Sequence, residues 1–278
     1  MRKSKLIQKA KRFMAGVIAL AMTVTMFPAV SAGAEETQEK YPYTLFAASN
    51  AEGAISITGN ACVNGNIATN GTTIFNGNSI NVNGNITEQV NEKMIVISAK
   101  LDELYFAGEN VDNYTENYFP EEVNCNITNP TVVQGAMEIK GNVNLNAPVK
   151  AVEDISFDAD SLNTNNAVLY SENGDISISG NNINFTGLVY APKGEVKIQA
   201  QHANLNSIIV IADKITFETG NANINYNREM AEIIGVNSEE ATEPEADTTM
   251  LLLLGQYNAE TNSIDMKWYT NATKSDVT

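Results

Sequence analysis

From Ala147 to Asn225 the apolar residues return in the same order about every 20 positions, in three short groups parted by Gly, Asn, Asp or Pro. The rows read APVKAVEDISFDADSLNTNN (147–166), AVLYSENGDISISGNNINFT (167–186), GLVYAPKGEVKIQAQHANLN (187–206) and SIIVIADKITFETGNANIN (207–225). Within each group apolar and polar residues alternate, which is the period of a strand. Aligned with one gap, the first group stacks Val149, Leu169, Val189 and Ile209. The second stacks Ile155 and Phe157, Ile176 and Ile178, Val196 and Ile198, and Ile215 and Phe217. The third stacks Leu162, Ile183, Ala203 and Ala222, with Phe185, Leu205 and Ile224 two residues on. A chain that turns three times in each row cannot bury one row alone, so rows must stack ~4.8 Å apart along an axis. The pattern predicts an all-β fold, a right-handed parallel β-helix of about 20 residues per coil.

Weaker rows lie earlier in the chain, at 131–146, at 65–83 and, as a starting row, at 54–64. Read in chain order they extend the stack upstream. Residues 85–123 interrupt it: Met94, Ile97, Leu101, Leu104 and Tyr105 follow helix spacing and predict an amphipathic helix of about three to four turns. This insertion is expected to cover a flank of the solenoid, or else to face a ligand. Arg228–Gly235 (REMAEIIG) reads as a cap over the open edge of the last row. Residues 236–247 form an acidic linker, and in 248–278 Leu252, Leu254, Ile264, Met266 and Trp268 resume strand alternation.

Residues 1–34 have the order of an export signal: a basic start, an apolar run from Phe13 to Val30, and small residues at Val30-Ser31-Ala32 and Ala32-Gly33-Ala34. Thr23, Thr25 and Pro28 break the run, which argues for cleavage rather than for a permanent anchor. All six cations of the first twelve residues lie in this leader, so the formal net charge of −16 becomes 11 − 33, or −22, without it. Such an acidic chain, with Arg228 as the sole Arg after the leader, is unsuited to nucleic acid. Asn is in excess, 37 residues of 278, and the excess has a register. Asn163, Asn184, Asn204 and Asn223 share one position and Asn165, Asn206 and Asn225 another, as stacked amide ladders would require.

The phrases YPYTLFAASNAEGAISITGN (41–60), VNGNIATNG (63–71), GLVYAPKGEVKI (187–198) and NINYNREMAEIIG (223–235) resemble an N-terminal β-helix-like domain of large secreted surface proteins of Gram-positive, clostridia-type bacteria. That resemblance implies a wall-associated or adhesive multidomain protein. GQYNAETNSIDMKWYTN, near the C-terminus, is similar to the first strands of a fibronectin type III or immunoglobulin-like module. It implies that 248–278 is an incomplete β-sandwich segment. GNIATNG and GNVNLN also resemble bactofilin-type β-helices.

Catalysis on a β-helix would need carboxylates converging at one level with basic groups beside them. The rows hold no Asp-Asp, Gly-His-Gly or Arg-x-Lys set, and the Asn-x-Asp at Asn173-Gly174-Asp175 has no basic group in its row; His202 stands at an expected surface turn, and Lys150, Lys193 and Lys197 are scattered. The acid pairs Glu153-Asp154, Asp158 with Asp160, and Glu172 with Asp175 read as solvated turn acids before calcium ligands. Cys62 and Cys125 read as small apolar filler or as a disulfide. No Thr column of the kind an ice-binding face needs is present in the rows. The expectation is thus a non-enzymatic, secreted or cell-surface structural and adhesive module, with no catalytic, metal or cofactor residues and no cofactor. Its partners would be glycans or other surface proteins, with no membrane segment after leader cleavage. The alternatives are a carbohydrate-binding or polysaccharide-modifying β-helix, and a module that self-associates end to end.

Overall fold

The computed structural model describes residues 40–120, 124–235, 252–258 and 263–269. The leader and the acidic linker lie outside the described residues. The chain is a parallel β-solenoid of about eight turns. Its strands are, in order, β1 (Tyr43–Ala47), β2 (Ile55–Asn64), β3 (Asn66–Thr69), β4 (Thr73–Asn83) and β5 (Ile86–Glu88). After a helical strap come β6 (Asp112–Tyr114), β7 (Asn124–Ile127), β8 (Thr131–Val133), β9 (Met137–Leu145), β10 (Val149–Ala151), β11 (Ile155–Thr164), β12 (Ala167–Ser171), β13 (Ile176–Asn184) and β14 (Gly187–Tyr226). β14 turns its corners without a break and passes through two successive coils. The short strands other than β7 form the first face of the solenoid; the long ones bend at a corner to form the second and third, and β7 lies on the third.

Stacking order departs from chain order. β7, β9, β11, β13 and β14 pair in sequence, but the far side of β14 is taken by β1 and β2, followed by β3 and β4. Ile215, Phe217, Ala222 and Ile224 lie in register with Ile55, Ile57, Ala61 and Val63. The rows at 54–64 and 65–83, expected upstream of 131–146, therefore close the opposite end of the stack. Residues 89–111 then carry the chain back over eight levels at ~4.8 Å each, a distance that mixed helix and extended chain spans with ease. The reason for the jump is local: β14 ends with an open edge whose inward residues need a further row, and β2 presents the same alternation.

Inward residues form one continuous core from Cys125 and Ile127 to Ile67, with Phe157, Phe185 and Phe217 fully buried. Most expected columns hold, with Val149 against Leu169 and Leu169 against Val189. The exception is Ile209. Val210, not Ile209, faces Leu45 inside the stack, and Ile209 belongs to a second cluster outside the first face. Five consecutive buried residues, Ile208 to Ala212, hide the alternation there; a strand buried on both sides reads as an unbroken apolar run.

That outer cluster covers the first face with Val168, Tyr170, Leu188, Tyr190, Ile209, Ile211 and Phe46 from the strands. Ile97 and Leu101 from the strap, and Met230, Ala231 and Ile234 from the C-terminal helix, lie over them. The strap helix is shorter than the spacing predicts. α1 (Ser98–Leu101) runs on as a wider π-type turn, Asp102–Phe106, which leaves Leu104 exposed. Lys150 fastens it to the strands, 2.7 Å from Asp102 Oδ1 and 5.0 Å above the Tyr170 ring. α2 (Arg228–Ile234), whose Asn227 side chain accepts from the Met230 N–H, lies on this same flank. It is not the cap of the last row, because β1 and β2 take that edge. Beyond the solenoid, β15 (Leu252–Asn258) and β16 (Ser263–Tyr269) pair as an antiparallel hairpin.

Gly59 sits where β2 meets the second coil of β14, at φ +104°, and a Cβ there would lie 1.7 Å from the Thr219 carbonyl oxygen. Gly59→Ala is expected to cost more than about 1 kcal/mol in urea unfolding, with faster amide exchange in β1–β4 than in β9–β13. The outer cluster makes stability alkali-sensitive. Burial raises the hydroxyls of Tyr41 and Tyr190 well above their usual value, and burial with Glu92 or Glu172 nearby pushes Tyr43 and Tyr170 up to about 12. The unfolded chain ionises them near pH ~10, so their contribution is intact below that pH and lost as pH rises past it. Melting temperatures between pH 8 and 11 should fall above ~10, and less steeply in Tyr190→Phe.

Candidate functional site

The third face is paved with amides. Asn126, Asn144, Asn163, Asn184 and Asn204 lie in direct register on successive strands. The column continues with Asn223, Cys62 and Asn81. Two residues back along each strand a second column runs through Asn124, Asn142, Ser161, Asn182 and His202, then Asn221, Asn60 and Ser79. Because strand side chains alternate, the residues between these positions point into the core, and both columns stand outward. Levels repeat every ~4.8 Å and the columns lie ~6.6 Å apart, so the face is a flat lattice of exposed donors and acceptors.

Part of this polar capacity is spent within the lattice. The Asn184 amide donates to Asn163 Oδ1 at 3.0 Å, and Asn142 to Asn124 at 3.0 Å. At the next corner Asn225 donates to Asn206 at 2.7 Å, Asn64 to Asn225 at 2.6 Å, and Asn83 to Asn64 at 2.7 Å. The predicted amide register is therefore present, and Asn64 and Asn83, which the row alignment left out, extend it across the junction of β14 with β2. An amide both donates and accepts, so each bonded Asn keeps hydrogen-bonding capacity toward solvent.

The acid pairs do something else. At the corner between first and second faces the carboxylates accept from backbone N–H groups one level up: Asp154 from Asp175 at 2.8 Å, and Asp175 from Glu195 at 2.7 Å. Asn117 plays the same part for Ala136. These are turn locks, a role that spacing alone hides because donor and acceptor are about 20 residues apart in sequence. Among the described residues no three His, Cys, Asp or Glu side chains come together in a way that could hold a metal ion.

His202 lies on a strand of the third face opposite Asn182, and not at a turn. It borders a shallow depression of about 530 Å³ with Gln199, Gln201, Glu218 and Asn221. The dip exists because the corner there is made of Gly180, Ala200 and Gly220, which have little or no side chain. Glu218 accepts from Gln199 and pairs with Lys197. Outward positions of the second face carry Ser156, Ser177, Lys197, Thr216 and Ser56, which is no Thr ladder. Cys62 and Cys125 are six levels apart, ~29 Å, and no disulfide joins them. Cys125 is core filler, while Cys62 stands in the exposed amide column.

The model of a family described as a domain of unknown function (DUF7305) matches residues 121–233. That span is the uninterrupted run of coils from β7 to α2, without the N-terminal rows that close the stack. A search of the curated proteins finds no match. Among solved structures, an ice-binding protein from an Antarctic biological consortium is similar at a TM-score of 0.40 and 14% identity, over 70% of this chain and 96% of that one. Among the described residues no helix is long and apolar enough to cross a membrane.

Asn184→Asp removes a donor from the middle of the amide column and sets a carboxylate against Asn163 Oδ1. Urea titration should show a loss of about 1 kcal/mol at pH 7. The folded-state pKa of the new acid is raised, so the loss should shrink as pH falls through ~4 and the protonated acid can donate again.

Proposed function

We propose that this chain is a non-enzymatic structural and adhesive module of a secreted or cell-surface bacterial protein, a stiff solenoid that displays its third face. One observation carries the reading: the third face is a flat, regular Asn lattice, whereas Asp154 and Asp175 are occupied as turn locks and Asp102, Glu195 and Glu218 in ion pairs. A surface of this kind meets another extended surface; it does not enclose a small substrate. The strap belongs to the scaffold in this reading, since Ile97, Leu101 and Lys150 bind it to the first face.

A second reading, glycan binding, is favoured by the chemistry of the lattice. Outward amides at two fixed spacings match the donor and acceptor pattern of a polyhydroxyl chain better than that of an apolar or strongly charged partner. Its partners would be cell-wall or host polysaccharides.

Both are tested by measuring adhesion to bacterial and host cells, and binding to immobilised polysaccharides, with the intact chain and with Asn144→Ala/Asn184→Ala/Asn204→Ala. Adhesion lost in the triple variant, whose circular dichroism melt stays cooperative, supports display by the third face. Turnover of a polysaccharide by the intact chain, or adhesion indifferent to the variant, would sink it.

A further inference from the structure

The two ends of the solenoid are built differently. At the β6–β7 end the Tyr114 and Tyr118 rings, 4.1 Å apart, pack across the end of the core. Asp112, Glu116 and Pro120 stand around them, and a Pro cannot donate to a further strand. At the other end, among the described residues, β4 pairs only with β2, and β5 only with β3. There the inward residues Phe75 and Ile86 are 37% and 42% exposed, and Ile74 beside them 41%. Natural sheets protect such edges with charges, prolines or very short strands. β4 is 11 residues long, and from Gly53 to Thr87 the sequence holds no Asp, Glu, Lys, Arg, His or Pro. In a chain of net charge −16 this is the stretch where a second copy meets least charge, Glu88 at the end of β5 being the nearest and already bonded to Thr73.

We propose that this open end pairs with the same end of a second copy, as a two-fold dimer. The free edge is a ramp. The 73–76 arm of β4 is lowest, the 79–83 arm is next, and β5 stands one level above β3. A two-fold axis through the middle arm sets the highest edge of each copy against the lowest edge of the other. All three edges then meet at one strand spacing, ~4.8 Å. Residues 79–83 pair antiparallel with their own copies about Asn81, and β5 pairs with the partner's 73–76 arm. Phe75 and Ile86 are covered, and the amide column runs through Asn81 into the second molecule. Glu88 accepts from the Thr73 N–H and hydroxyl, both at 2.6 Å, and so closes the lower edge at its start. The interface is isologous, and the Tyr-covered ends stay free, so growth stops at two copies.

Sedimentation of the purified full chain from 1 to 100 μM tests this. The expected result is a species of twice the chain mass of 30.1 kDa, with Asn81→Lys and Ile74→Lys/Asn81→Lys shifted at least tenfold toward monomer while their melts stay cooperative. In a Cys62→Ser background, Asn81→Cys should form an interchain disulfide on mild oxidation, because residue 81 faces itself only in the two-fold arrangement. A monomer throughout the range overturns the proposal; in that case slow amide exchange at 79–83 would assign the end to another segment of the same chain. Polymers that lengthen with concentration overturn it in favour of head-to-tail stacking. A dimer that ignores both Lys variants, and that forms no interchain bridge when it carries Asn81→Cys, overturns it in favour of another interface.

Discussion

The structure depends on one constraint: no coil of this chain can bury its apolar residues without a neighbour one strand spacing above or below. Backbone hydrogen bonds fix that spacing, and the short period of the turns sends each equivalent residue to the same place. Apolar residues therefore collect in columns on the inside and Asn in columns on the outside. The open edge of the second coil of β14 shows the constraint at work. Its inward Ile215, Phe217 and Ile224 would face water, and the chain meets the need with a row taken from its own N-terminus.

Bringing residues 41–88 to that edge forces the chain to cross the whole stack again. The crossing segment is put to use. It lies on the first face, where strands buried on both sides carry Tyr170, Tyr190, Ile209 and Ile211 outward, and α2 joins it there. The solenoid thus has two cores, a long inner one made of columns and a lateral one made where helices lie on strands. The lateral core holds the tyrosines whose hydroxyls burial shifts, so the alkaline limit of the fold is set outside the stack.

The molecule is asymmetric in its faces and in its ends. One face is covered by the strap, one is a mixture of hydroxyls and ion pairs, and one is an amide lattice. One end is covered by tyrosines; at the other, among the described residues, β4 and β5 leave free edges whose one charge is Glu88. The acids Asp154 and Asp175 are held at corners, where each accepts a hydrogen bond from the turn above.

Much of this was legible in the sequence. The 20-residue recurrence, the inner columns from Ile155 to Ile224 and the Asn register could be read directly, because period-two alternation and in-register stacking leave their mark on every row. The hairpin of β15 and β16 was legible for the same reason. Three things were not. By pattern Ile209 falls in the inward column, because an unbroken apolar run carries no phase. The roles of Asp154, Asp175 and Lys150 stayed hidden because their partners are one level or one strap away. By pattern the rows at 54–83 extend the stack upstream, whereas they close its other end, since any row fits any open edge equally well. Sequence by itself determined the coil, its period and which side chains repeat, all of them local properties of the chain. Tertiary structure alone decided the order of the coils, which face is covered and which end is left open, because those depend on which edges remain unpaired once the chain has closed on itself.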